Sequence, residues 1–417
     1  MFNFKNNNFK PFTEKVCLSS PTKHDEELCY ISKAIESGWI TTVGENINQI
    51  EKQVCEKIGC RYAVALSSGT TALHLAVKCA AVKIYGKKNA GDRVLCGHHV
   101  AVSDLTFSAT VNPIVYEGGT PVYIDAEYET WNMDPDALKK AFELYPDIKI
   151  VIVAHICGTP GKIDEIKEIC DAHGAILIED AAESFGTTYK GMQTGAFGEY
   201  NIISFNGNKI ITGSTGGMFL TDNEKAEEMV RKWSTQSKEN APWYQHEEIG
   251  YNYRMSNVVA GVVRGQLPHL EEHIEQKKVI YETYKKELAD IPVQMNPFDA
   301  QNSKPNYWLS CIIIDKAAMC KQTRGKNEAS YIAEHGKSCP TEVLEAIRGI
   351  NAEGRPIWKP MHMQPTGQTN PFVTCGDKEG INVAGDIFER ALCLPSDNKM
   401  TIEQQMKIIK VIISCFE

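Results

Sequence analysis

Residues 175–217 read AILIEDAAESFGTTYKGMQTGAFGEYNIISFNGNKIITGSTGG, and the fold is decided here. The apolar run from Ala175 to Ile178 predicts a buried strand that delivers Glu179 and Asp180 at its carboxyl end, the edge at which open parallel sheets bind ligands. A second run, Asn201 to Phe205, opens into Asn206-Gly207-Asn208-Lys209 and sets a lysine on a turn just after another strand. A carboxylate and a lysine are thus candidates to face one site. That pairing suits pyridoxal 5'-phosphate (PLP): an amine holds the aldehyde as a Schiff base, and an acid keeps the pyridine nitrogen protonated.

Working outward, a chain of 417 residues buries a large core and is long enough for two lobes. Lysine and arginine total 44 against 53 acidic residues, a net charge of −9 that argues against nucleic acid as the main partner. The 14 cysteines are scattered without C-x2-C spacing, as reduced thiols of a cytoplasmic protein would be. The opening MFNFKNNNFKPF has no apolar export region, and no run approaches membrane-spanning length, so a protein neither exported nor membrane-embedded is expected.

Along the chain, residues 1–25 read as an arm. Asp25 to Glu36 reads as a helix with Leu28, Ile31 and Ile35 apolar, Asn46 to Ile58 as a second helix, and Tyr62 to Leu66 as a strand. That strand breaks at Ser67-Ser68-Gly69-Thr70, where hydroxyls, a glycine and the free amides of the helix Ala72 to Ala81 make an anion site. Strands are expected over Arg93 to Val102 and Val122 to Asp125. From Lys149 to Asp180 the order is strand, loop, helix with Ile163, Ile166 and Ile169 on one face, strand: a βαβ unit and hence a parallel sheet. A strand over Gly216 to Thr221 and a helix over Asn223 to Trp233 follow, and Ser234 to Asn257 reads as loop. Val258 to Lys286 is a long helix that Pro268 divides or kinks. Beyond it strands mix with helices. The fold class expected is α/β, a mostly parallel central sheet with helices on both faces plus a smaller C-terminal α+β lobe. Its parts are an arm (1–25), a large domain (26–265), and a linking helix with the small domain (266–417).

Each candidate residue has a plainer reading beside the chemical one. Lysines are usually solvated, but Lys209 follows a strand and lies close to Ser204, whose hydroxyl suits a phosphate. Asp180 alone reads as a helix cap; upstream of a glycine-flanked lysine it reads as the pyridinium partner. Glu183 faces either the cofactor ring or solvent, and Phe107 is either core or the flat surface on which a ring stacks. His98 and His99 resemble a metal pair, but neighbours on a strand point to opposite faces. Neither a G-x-x-x-x-G-K-S/T loop nor a G-x-G-x-x-G after a strand is present, so the glycines at 213, 216 and 217 do not argue for ATP or NAD.

Taken together, GWITTVGENINQIE, SSGTTALHLA, DLTFSATVNPI, GGTPVYID, VAHICGTPGKIDEI, IEDAAESFG, SFNGNKIITG, GYNYRMSN, WKPMHMQP and LCLPSDN occur in this order along nearly the whole chain. In them the chain resembles the DegT/DnrJ/StrS family of PLP-dependent nucleotide-sugar aminotransferases, of fold type I. The resemblance implies that Lys209 forms the Schiff base and Asp180 pairs with the pyridine nitrogen. Glu183 would lie near the ring, Phe107 would stack on it, and Gly69, Thr70 and Ser204 would hold the phosphate. Asn252 would reach the phosphate of a neighbouring subunit, which implies a homodimer with shared sites, and Arg254 would meet a substrate or donor anion. The FNGNK and RPIWKPMHMQP stretches are most similar to members that aminate position 4 of UDP-linked 4-keto-6-deoxy-N-acetyl sugars, with Trp358, Lys359 and His362 on the nucleotide-sugar side. Two departures stand out: the long link GDRVLCGHHVAVSDLTF, suggesting an added loop or strand, and GSTGG where GEGG often follows the lysine. The function implied is amino transfer from L-glutamate to a 4-keto nucleotide sugar. A PLP-dependent sugar dehydratase, an amino-acid aminotransferase and a non-catalytic PLP-binding regulator are the alternatives. Family members that dehydrate carry histidine at the lysine position, and a regulator would be expected to carry a DNA-binding segment.

Overall fold

The computed structural model describes residues 9–86, 93–326, 328–376 and 380–417. The first eight residues of the arm, and Gly91 and Asp92 of the long link, lie outside the described residues.

Apolar runs alternating with amphipathic helices fold into an eight-stranded sheet: β1 (Tyr62–Leu66), β2 (His99–Ser103), β3 (Thr120–Ile124), β4 (Ile150–Ala154), β5 (Ile176–Asp180), β6 (Tyr200–Ser204), β7 (Gly217–Thr221) and β8 (Phe372–Val373). Their order is β1-β7-β6-β5-β4-β2-β3-β8. Strand β7 runs antiparallel to both neighbours, and the other pairs are parallel. The α/β class expected from the sequence is therefore observed. All residues of β4, β5, β6 and β7 are buried, because helices cover both faces. Register sets the site. Ala154 lies beside Asp180 and Asp180 beside Ile202, so the carboxyl ends of β4, β5 and β6 open side by side.

The helix after β1 spans Gly69–Tyr85, longer at both ends than its apolar pattern predicts, because Ser68 and Thr71 form a capping box at its start. The long helix divides as Pro268 requires, into Asn257–Gln266, a single 3-10 turn, and Leu270–Glu287. Beyond it, Val293–Met295, Cys311–Ile314, Ala391–Cys393 and Arg355–Pro356 form a separate antiparallel sheet. Its core includes Ile280, Tyr284, Ile312, Val343, Leu392 and Ile412. The N-terminal segment is pinned to the same region: Phe12 N–H donates to the Ile350 carbonyl at 3.0 Å and Val16 N–H to that of Asn351 at 3.1 Å. Strand β8 comes from the C-terminal part of the chain yet pairs with β3 in the large sheet, a return that no local pattern announces.

Helix Glu26–Glu36 departs from its expected face. Leu28 and Ile35 are 68% and 61% exposed, while Glu27 and Ala34 are buried. The reason is close packing against Asn257–Gln266: a Cβ on Gly265 would come within 2.6 Å of the Glu27 amide, so this face must be small, and Glu27 is held by Gln266 Nε2 at 2.9 Å. Residues 234–257 are more ordered than their composition suggests, with Tyr251 N–H on the Trp233 carbonyl and Tyr253 N–H on that of Ser234. In the long link, Val94 and Leu95 are buried in a turn whose Leu95 N–H meets the Glu117 carbonyl. His98 stacks on Tyr85 and His99 bonds Asp147, so the two rings diverge. No helix among the described residues is long and apolar enough to cross a membrane.

Candidate active site

At the carboxyl edge of β4, β5 and β6 lies a cavity of about 400 Å³, walled by residues from seven segments of the chain. Asp180, Lys209, Glu183, Phe107, Gly69, Thr70, Ser204 and Trp358 all line it.

Asp180 closes β5 and is 7% exposed. Its Oδ2 accepts from Thr110 Oγ1 at 2.8 Å and its Oδ1 from the Ala182 amide at 3.1 Å, so the capping role and the site-facing role coexist in one carboxylate. Burial pushes its pKa above the ordinary carboxylate value, opposed by the Thr110 and Ala182 hydrogen bonds and the Lys209 charge. Lys209 sits on the turn after β6, fixed by its amide on the Asn206 carbonyl at 2.9 Å. The Lys209 Nζ is 3.6 Å from Glu183 Oε1 and 4.2 Å from the centre of the Trp308 ring. Glu183 is in turn held by the Cys157 amide at 2.8 Å, and burial raises its pKa against the pull of Lys209.

The anion end is built from backbone. Ser68 uses its oxygen on the Thr71 amide, leaving the first-turn amides of Gly69 and Thr70 ahead of the helical ladder. Glycine at 69 lets the helix start come close to Ser204, because a Cβ there would sit 3.0 Å from Ser204 Cβ and push that side chain back. Phe107 is 59% exposed with its ring at the cavity wall, an unusual place for a large aromatic unless a flat partner covers it.

These features fit PLP: a cradle of amides and hydroxyl for a phosphate, an uncovered aromatic face, a buried acid, and a primary amine in one space.

The structure also brings in groups that the sequence reading did not assign. His155, one residue past β4, lines the cavity and is 1% exposed. Its Nδ1 accepts from the Gly161 amide at 3.2 Å, so Nε2 carries the proton and donates to Glu179 Oε1 at 2.9 Å. Trp308 and Arg355 reach the wall from the C-terminal part, and Asn206 and Asn208 from the lysine turn. Thr110 and His155 lie inside motifs that the sequence displays, LTFSAT and VAHICG; Trp308 has no such signal.

Other expected members stand elsewhere. Arg254 is buried against Glu51, Nη1 to Oε1 at 2.9 Å, and also donates to the Ala65 carbonyl at 3.0 Å, so its guanidinium is engaged outside the cavity lining. His362 donates through Nδ1 to the fully buried Asp104 at 2.6 Å and stacks on Phe372, bracing the chain under β2. Lys359 is half-buried and outside the lining residues. Asn252 is exposed on the ordered loop and does not line this chain's own cavity.

A mostly parallel sheet with a cavity at the carboxyl ends of its strands is the layout of an α/β enzyme. The sequence profile of the DegT/DnrJ/EryC1/StrS aminotransferase family matches residues 21–413, and the chain belongs to that family. EpsN of Bacillus subtilis (strain 168), provisionally named a pyridoxal phosphate-dependent aminotransferase, is 40% identical over 97% of this chain and 96% of its own length. GDP-perosamine synthase of Vibrio cholerae is 28% identical over 95% of this chain and 98% of its own length. The fold is also that of DesI crystallised with its TDP-sugar product, with a TM-score of 0.81 at 21% identity over 97% of this chain and 94% of that one.

Proposed function

We propose that this aminotransferase uses PLP to move an amino group from L-glutamate to a 4-keto-6-deoxy nucleotide sugar, yielding a 4-amino sugar and 2-oxoglutarate. A UDP-linked N-acetyl sugar is the substrate first to be tried. The carrying observation is one cavity that holds the Lys209 amine, the buried Asp180 carboxylate and the Gly69-Thr70-Ser204 cradle. Relatives named for perosamine synthesis and a neighbour crystallised with a TDP-sugar product support a sugar nucleotide as the acceptor.

When bound, PLP supplies an electron-withdrawing ring that stabilises negative charge at the carbon bearing the transferred nitrogen. Asp180 would hold a proton on the ring nitrogen, and the Thr110 hydroxyl and Ala182 amide keep that carboxylate oriented. Phe107 would offer its exposed ring as a stacking surface, and the first-turn amides of Gly69 and Thr70 with Ser204 would hold the phosphate. Lys209 offers the amine and then moves protons at the reacting carbon, with Glu183 beside it as counter-charge. Trp358, which lines the cavity, would meet the nucleotide sugar. The exposed apolar side chains Leu28, Ile35, Trp39, Ile40, Trp243 and Tyr244 support a homodimer, in which Asn252 serves the partner's phosphate site.

The test incubates the protein with L-glutamate and a panel of UDP-, dTDP- and GDP-linked 4-keto sugars and reads product mass. A gain of an amino group on one sugar, lost in Lys209→Ala, is expected. Transamination that persists in Lys209→Ala would sink the assignment.

A further inference from the structure

A second lysine lies behind the site. Lys277, on the helix Leu270–Glu287, is 2% exposed, and its three N–H groups all go to uncharged oxygens. These are the Ser396 carbonyl at 2.9 Å, the Trp308 carbonyl at 3.1 Å and Ser19 Oγ at 3.5 Å. Two of the three partners then converge on one atom. The Ser19 hydroxyl donates to the Asn208 carbonyl at 3.0 Å, and the Trp308 indole Nε1–H donates to the same oxygen at 2.7 Å. Asn208 is the residue peptide-bonded to Lys209, and the Trp308 ring is the surface over which Lys209 Nζ lies at 4.2 Å.

We propose that Lys277 is a positioning residue for the reaction: by fixing Trp308 and Ser19, it holds the Asn208–Lys209 peptide and so aims the Lys209 amine.

An apolar side chain of the same length fills the space at lower desolvation cost, so packing alone does not account for an ammonium here. The nearby acid, Asp397, is occupied by the Ser20 amide at 2.8 Å and Lys399 Nζ at 2.9 Å, so Lys277 is not simply its ion-pair partner. What an ammonium alone supplies is three donors diverging from one point. Here they join the N-terminal segment, the segment around Trp308 and the turn at Ser396, regions that approach the lysine turn from outside the large sheet. Burial lowers the Lys277 pKa to about 7, consistent with a group held by neutral acceptors.

The inference rests on Lys209 as the reacting amine, and its test is independent of turnover. Cofactor-free protein is treated with formaldehyde and cyanoborohydride across a pH series, and methylation of Lys209 is followed by peptide mass spectrometry. In Lys277→Met the Lys209 rate is expected to change about threefold or more and its pH midpoint to move, while exposed Lys52 and Lys139 are unchanged. In the loaded enzyme kcat falls roughly tenfold with little change in KM, the sign of lost alignment rather than lost binding. Should Lys277→Met not fold, Ser19→Ala cuts only one of the two links and shows the same direction at smaller size. Unaltered Lys209 labelling in a folded Lys277→Met, or in Ser19→Ala where Lys277→Met does not fold, overturns the proposal. Persistent turnover in Lys209→Ala would instead overturn the function.

Discussion

Asp180 shows how one side chain sets two opposing demands. In the cofactor-free protein its ionisation is disfavoured by burial, so its folded pKa is raised. A raised pKa means that its contribution to stability is complete below the unfolded carboxylate pKa and is lost as pH rises through the folded value. At neutral pH, Asp180→Asn is therefore expected to leave the cofactor-free protein as stable as the parent or more so by thermal melting. Under the proposed function the same change removes the charge that would face the ring nitrogen, and turnover should fall by about 10²-fold or more. A melting temperature clearly lowered by the substitution would contradict this balance. Thr110→Val tests the orienting bond: it leaves Asp180 Oδ2 short of a donor and should cost about 1–3 kcal/mol, measured by denaturant titration.

The helix Gly69–Tyr85 is the element proposed to hold the phosphate, and its start is specified twice. The Ser68–Thr71 capping box fixes where the helix begins, and Gly69 lets that beginning approach Ser204. Gly69→Val is expected to weaken PLP affinity at least tenfold by equilibrium dialysis, with the far-ultraviolet circular dichroism unchanged. Retained affinity would move the phosphate site elsewhere. Gly265 acts in the same way: its contact with the Glu27 backbone lets the first helix lie close to Asn257–Gln266. Gly265→Leu should destabilise by about 1–3 kcal/mol through overpacking.

For the whole molecule, the exposed Trp39, Ile40, Trp243 and Tyr244 matter most, because they are large apolar groups on the surface of one chain. If the proposed homodimer forms through this surface, replacing Trp39 and Trp243 with aspartate is expected to give a monomer in light scattering where the parent chain is a dimer. Activity should fall with it, since each site would then lack the neighbour's Asn252. A wild-type chain that is monomeric at micromolar concentration would remove the shared-site reading.

The sequence by itself determined the parallel core of the sheet and the residues that come from its own edge, but not the returning β8 or the antiparallel direction of β7. Asp180, Lys209, Ser204, Gly69 and Phe107 each follow a strand or begin a helix, and a strand's end is a local property written in hydrophobic runs and the turn that stops them. Tertiary structure alone decided the rest. Arg254 and His362 sit in recognisable motifs, but their directions depend on Glu51 and Asp104, partners 203 and 258 residues away, which buried charge must find. His155, Trp308 and the hub at Lys277 were likewise invisible as a set, because the distance between residues far apart in sequence is fixed only when the chain closes around its core.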